Sequence, residues 1–223
     1  AVSMPWIKDV PAVLQAWYLG SEAGSAIAAI LAGDVNPSGK LPFTFPAALE
    51  DVGAHKLGDY PGVLRADGSN IVDEKYNEGI FVGYRWADKQ KTKPLFPFGH
   101  GLSYTTFKYG KAVADKKVMG ADETLTIIVP VTNTGSREGS EVVQLYISDL
   151  KSSLPRPVKE LKGFSKVRLA PGETKEITFT VNEDALKFFD DTRHQWVSEA
   201  GKFEAVIASS ATDVKSRVPF ELK

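Results

Sequence analysis

The chain contains no cysteine, which removes disulfides, thiol nucleophiles and thiolate metal sites together. It has almost no net charge. With 27 basic and 28 acidic side chains the balance is −1, so no field of one sign would draw in a nucleic-acid backbone or an anionic membrane. No segment approaches the ~20 consecutive apolar residues of a membrane-spanning helix, so neither nucleic acid nor membrane insertion is expected. Histidine is sparse: His55, His100 and His194 stand far apart, without metal-ligand spacing. The glycine-containing "GSEAGSA" lacks the lysine and hydroxyl order of a phosphate loop, and Ser38 and Ser103 sit in no "GxSxG" context. No cofactor and no metal are expected.

What is present is ordinary for a soluble globular chain: 43% apolar and 25% charged residues over 223 positions, enough for one large core or two modest ones. The stretch "GDVNPSGKLPFTFP", Gly33 to Pro46, places Leu41, Phe43 and Phe45 at alternating positions between glycine and proline turns. Alternation puts the three side chains on one face of a short strand. Before it, Val10 to Leu31 reads as helix, with Ala12, Val13, Ala16 and Trp17 on one face and Ala23, Ile27, Ile30 and Leu31 on another. Gly20 and Ser21 divide that run in two, and Gly33 stops it. Helix, turn, strand and proline stop make the last piece of an α/β layered unit whose remaining sheet is expected upstream of Ala1.

From Glu50 to Thr92 turn formers dominate, with a strand expected around Phe81 to Trp86. "KPLFPFGHGLSYTTF" is aromatic yet cannot form a regular helix, a composition that fits packing against another body of protein. Beyond Tyr109 the period becomes two. "ETLTIIVPVTNTG" predicts a strand from Leu125 to Thr132 with a turn at Asn133 to Gly135, and in "SEVVQLYISD" Val143, Leu145 and Ile147 oppose Val142, Gln144, Tyr146 and Ser148. "FSKVRLAPGETKEITFTV", "GKFEAVIASSATD" and "KSRVPFELK" supply further strands without helix-length gaps, the pattern of two antiparallel sheets packed face to face.

Local chemistry is thin. The irregular segment offers the acids Asp59, Asp67, Asp73, Glu74 and Glu78, and solvent-facing charge is the expectation for each. His100, between Gly99 and Gly101, suits a packed imidazole or a capped turn better than a ring presented to a cleft. Arg85 in "GYRWADK" has two roles open to it, a sugar contact or a salt-bridged core edge. Trp6, Trp17, Trp86 and Trp196 are too scattered for a sugar-stacking platform.

"AWYLGSEAGSAIAAILAGDVNPSGKLPFTFP", "YNEGIFVGYRWAD" and "PLFPFGHGLSYTTF" together resemble the C-terminal part of the family 3 glycoside hydrolases, the β-glucosidase and β-xylosidase group. The resemblance continues through "VTNTGSREGSEVVQLYISD", "RPVKELKGFSKVRLAPGETKEITFTV" and "EAGKFEAVIASSA", which are similar to that family's terminal fibronectin type III-like domain. It implies an α/β fragment, the end of an α/β sandwich domain, over 1–48, then a connector over 49–118 and an all-β fibronectin type III-like or immunoglobulin-like sandwich over 119–223. In that family the aspartate nucleophile lies in a barrel domain and the acid/base glutamate commonly lies upstream of the stretch matching Met4–Trp6. The resemblance therefore assigns no catalytic residue here, and Asp9, Glu22 and Glu78 do not fill those roles.

The implied partners are the upstream catalytic domains of the same polypeptide, an oligosaccharide or aryl glycoside reached through the full-length enzyme, and a second copy in a homo-oligomer. The implied location is periplasmic or secreted. The implied activity is retaining hydrolysis of terminal β-linked glucose or xylose by the whole protein, with this chain as scaffold and cleft wall. The competing expectation is a non-catalytic carbohydrate-binding or adhesion module, which a β-sandwich suits by fold analogy alone.

Overall fold

The computed structural model describes residues 1–2 and 4–223. The N-terminal part holds one full helix, α1 (Ala23–Ala32), closed by Gly33 in the left-handed conformation with its N–H donating to the carbonyls of Ala29 and Ile30. The helix expected over Val10 to Leu19 is absent, and that stretch forms no regular element. Val13, Leu14, Trp17 and Leu19 are all about two-fifths exposed, so no packed face repays the cost of ordering a helix there. Trp17 also sits at φ 55°, outside helical geometry.

The short strand expected from Leu41 to Phe45 is reduced to one bridging residue, Phe45, after bends at Pro42 and Phe43, and Phe43 and Phe45 stack at 5.4 Å with Trp17 edge-on to Phe43. One partner lies within the chain. Phe45 N–H donates to Phe96 O, Leu41 N–H to His100 O and Gly99 N–H to Leu41 O, so 41–45 and 95–100 run as an irregular antiparallel ribbon.

Between these two stretches the chain makes an excursion. It contains the one-turn α2 (Gly53–Lys56), a hairpin of β1 (Val63–Leu64) and β2 (Val72–Asp73), and α3 (Tyr84–Gln90). The strand expected at Phe81 to Trp86 is thus a helix from Tyr84 onward. Gly83 at φ 61° turns the chain into it, and Lys91, in the left-handed region, closes it by donating to the carbonyls of Ala87 and Asp88.

The C-terminal part is a β-sandwich. Its strands are β3 (Phe107–Tyr109), β4 (Val113–Ala114), β5 (Val118–Met119), β6 (Leu125–Asn133), β7 (Gly139–Asp149), β8 (Glu160–Leu169), β9 (Thr174–Val181), β10 (Phe188–Asp190), β11 (Gln195–Val197), β12 (Gly201–Ala208) and β13 (Val214–Leu222). One sheet has the order β5-β13-β12-β7-β8. In the other, β6 pairs with β9 on one side and with β3 and β4 on the other. Strands β3 and β4 therefore join the sandwich ahead of residue 119, where its start was expected. β10 and β11 form a separate hairpin. Ile127, Val129 and Val131 from β6 meet Val143, Leu145 and Ile147 from β7 and Phe203, Ala205 and Ile207 from β12 in one core. Each large apolar side chain buried there contributes about 1.5–3 kcal/mol.

In β6 burial alternates from end to end, whereas in β7 it is unbroken from Val143 to Ser148. A strand buried on both faces is covered on both faces. One cover is the opposing sheet, and the other is the connector.

Candidate functional site

The second face of β7 and β12 presents Tyr146, Val206 and Ala208, all fully buried, against Tyr84, Phe98, Leu161 and Val214. Tyr84 stands at 5.0 Å from Phe98 and edge-on to Tyr146 at 5.8 Å. The polar groups trapped beneath are satisfied. Tyr146 OH donates to Gln144 Oε1 (2.6 Å), and Gln144 Nε2 donates to the carbonyls of Gly99 (3.2 Å) and Ser209 (2.8 Å). Gly99 is the one residue that fits above Gln144. It lies at φ 77°, and a methyl group in place of its hydrogen would collide with the Gln144 carboxamide. Tyr84 OH accepts from Leu161 N–H (2.9 Å), and Ala211 N–H donates to Phe98 O (2.8 Å). Burial pushes the Tyr146 hydroxyl far above the usual phenol range, so it stays a donor at any physiological pH.

Ion pairs rim this apolar seam. Arg85 reaches Glu160 (3.2 Å), which also holds Arg156 (2.6 Å), and Arg156 continues to Asp149 (3.0 Å). Lys159, 4% exposed, pairs with Asp88 at the end of α3 and lies over the Tyr146 ring. Farther along, Lys40 bonds Glu141 (3.1 Å) and the Gly101 carbonyl (3.0 Å), and Tyr109 OH donates to the same Glu141. Burial first, then the Glu141 charge, drive the Tyr109 hydroxyl far up.

Two asparagines fasten the corner. Asn36 Oδ1 accepts from Ser103 Oγ (2.9 Å) and Tyr104 N–H (2.8 Å), while its Nδ2 donates to the Glu138 carbonyl (2.9 Å). Asn133, fully buried at the turn the sequence marks, accepts from Thr105 Oγ1 (2.7 Å) and Gly135 N–H (3.0 Å). It donates to the carbonyls of Arg137 (2.7 Å) and Leu169 (3.0 Å), which uses all its hydrogen-bonding capacity.

Asp59, Asp67, Asp73, Glu74 and Glu78 are not brought together. Asp59 is buried, against expectation, and its carboxylate accepts from Asn77 N–H (2.8 Å) and Nδ2 (2.6 Å). Asp67 caps its own turn through Ser69, and those bonds hold its carboxyl below the usual range. Asp73 pairs with Arg65 across the β1–β2 hairpin, Glu74 is exposed, and Glu78 lines a small recess beside Trp86. Asp9 and Glu22 are exposed, Glu22 accepting from Ser25 Oγ. A methyl group at Gly20 or Gly24 would meet no heavy atom within 4 Å, so nothing among the described residues packs close to them. Trp86 is buried, while Trp6 and Trp196 are largely exposed. His194 sits at φ 52° in the exposed β10–β11 turn, and His55 lies edge-on to Tyr60. Among the described residues no group of acids and histidines could hold a metal ion.

His100 is the packed imidazole its glycine neighbours allow, stacked on Phe96 at 5.5 Å. Burial, then the nearby Lys40 charge, hold it below its ordinary value of 6.5. The unfolded chain therefore binds the proton more readily than the folded one. This contribution to stability is complete above pH ~6.5 and declines as pH falls below it. Denaturant titrations over pH 5 to 7 should show that slope, and His100→Gln should reduce it. An unchanged slope in the variant would assign it to other groups.

Sequence reasoning missed Lys159, Arg156 and Glu160 in "RPVKEL", and Asn36. One signal was available. Val142, Gln144, Tyr146 and Ser148 form a β7 face without a single charge, which is unusual for a solvent-facing strand.

This architecture, a short α/β end clamped through an aromatic connector onto a β-sandwich, defines a class. Residues 1–104 match the glycosyl hydrolase family 3 C-terminal domain and residues 141–211 the fibronectin type III-like domain. The chain belongs to the C-terminal portion of glycoside hydrolase family 3. It is 51% identical to a β-glucosidase of Bacteroides ovatus over 99% of its own length and 29% of that protein's. It is 46% identical to the thermostable β-glucosidase B of Acetivibrio thermocellus, over 96% of the chain and 27% of the relative. The crystal structure of the Kluyveromyces marxianus β-glucosidase in complex with glucose superposes with a TM-score of 0.88 at 40% identity, covering 100% of this chain and 26% of that one. The chain thus spans less than a third of the length of these relatives.

Proposed function

We propose that this chain is the non-catalytic C-terminal portion of a retaining β-glucosidase-like enzyme, serving as a scaffold and as an outer wall of the cleft. The observation that carries the reading is the two-sided burial of β7, which locks the connector onto the sandwich. A seam of that kind holds position rather than performing bond cleavage. The substrate of the whole polypeptide is a terminal β-linked glucoside or xyloside, cleaved through a covalent glycosyl intermediate and then water. The relatives named as β-glucosidases support that substrate class. Its partners are the catalytic domains of the same polypeptide, to which the many exposed apolar side chains of the N-terminal part, Leu31 at 72% among them, are available. A periplasmic or secreted location rests on the family resemblance.

One observation favours a second reading as a carbohydrate-binding module: Phe189 and Trp196, paired at 5.7 Å across the β10–β11 hairpin, are 48% and 66% exposed. A single experiment separates the two. The purified chain is incubated with aryl β-glucoside and β-xyloside, alone and joined to upstream catalytic domains of a relative, and titrated with cello-oligosaccharide. Turnover only in the joined protein is expected. Turnover by the chain alone would defeat the scaffold reading, and saturable sugar binding lost in Trp196→Ala would favour the module.

A further inference from the structure

A recess of about 110 Å³ lies where three separate stretches meet: Thr44 to Gly53, Glu78 to Ala87, and Thr92 to Pro94. Among the described residues four buried polar side-chain atoms find no hydrogen-bond partner. Three of them, Thr44 Oγ1, Trp86 Nε1 and Thr92 Oγ1, belong to residues lining this recess. Native interiors rarely leave such groups unmade, because each costs about 1–3 kcal/mol. Trp86 is 6% exposed, so bulk solvent does not serve its N–H. Glu78 enters the recess because Gly53 has no side chain, and a methyl there would collide with both Glu78 and Trp86.

We propose that the recess is a built hydration site, holding a small cluster of ordered waters that bridges Thr44, Trp86 and Thr92 to the Glu78 carboxylate. The ligand class follows from the donor set. An indole N–H only donates, so its partner accepts, which a metal cation cannot do. The two hydroxyls donate and accept, and the carboxylate only accepts. Water meets all three demands at this size, and about three molecules fit at ~30 Å³ each. The cluster fastens the connector motif around Glu78 and Trp86 to the α/β end.

The test turns on a sign. Thr44→Val and Thr92→Val keep the shape and remove the hydroxyl, and each is made singly in the full chain. If waters complete these hydroxyls, each variant melts about 2–4 °C lower. If the recess is dry, removing an unsatisfied group raises the melting temperature or leaves it unchanged, and either result overturns the proposal. A second readout does not depend on stability. The Trp86 indole N–H resonance, assigned by its loss in Trp86→Phe, should show a dipolar cross-peak to long-lived water. Absence of that cross-peak would also overturn it.

Discussion

Replacing Asp88 with alanine should destabilise the chain by about 3 kcal/mol, since removing one partner of a buried pair leaves an uncompensated charge. Lys159 is 4% exposed and sits between α3 and the sandwich, so its ammonium cannot turn to water without opening the seam. Most of the cost belongs to the stranded lysine. The double variant Asp88→Leu with Lys159→Met should therefore recover most of the loss, because an apolar pair of similar volume is often no worse than the ion pair. Urea titrations of the parent and the two variants decide the matter. A single variant within ~0.5 kcal/mol of the parent would show that the pair is solvated.

Truncating Tyr146 to alanine should cost about 3–5 kcal/mol, the usual range for a buried aromatic. The ring is fully buried between Tyr84, the Lys159 ammonium and the second face of the sheet. Tyr146→Phe, which loses only the bond to Gln144, should cost about 1 kcal/mol. The location of the damage is the sharper readout. In the alanine variant amide exchange should accelerate through residues 84–100 while the core around Val129 and Leu145 stays protected. Equal acceleration in both regions would mean that the seam and the core unfold as one unit.

How much of this was legible in the sequence depended on whether the partner of each segment was local. The β6 strand and its Asn133 turn could be read directly, because period-two burial and turn chemistry are set by neighbours a few residues away. The family motifs, spread over nearly the whole chain, carried the architecture. Val10 to Leu19 misled because its apolar spacing fits a helix, yet a helix needs a whole face to pack on, and here Trp17 meets Phe43 and Phe45 while Val13, Leu14 and Leu19 stay exposed. Phe81 to Trp86 misled for the opposite reason. β-branched and aromatic residues suggested a strand, and the left-handed Gly83 that redirects the chain into α3 is invisible in composition. Asp59 looked like surface charge because its partner, Asn77, is a long loop away. The seam itself was half visible, in an uncharged outward face of β7 whose cover, from Tyr84 to Gly99, lies far earlier in the chain.

The Asp59 clamp on Asn77 closes the base of the arm that carries β1 and β2. Because the two ends of that arm are already joined, its length is decoupled from everything beneath it. Doubling a closed loop costs only about 0.6 kcal/mol. Residues 60–76 are thus a stretch in which this chain should accept insertions or a grafted peptide without disturbing the body of the molecule.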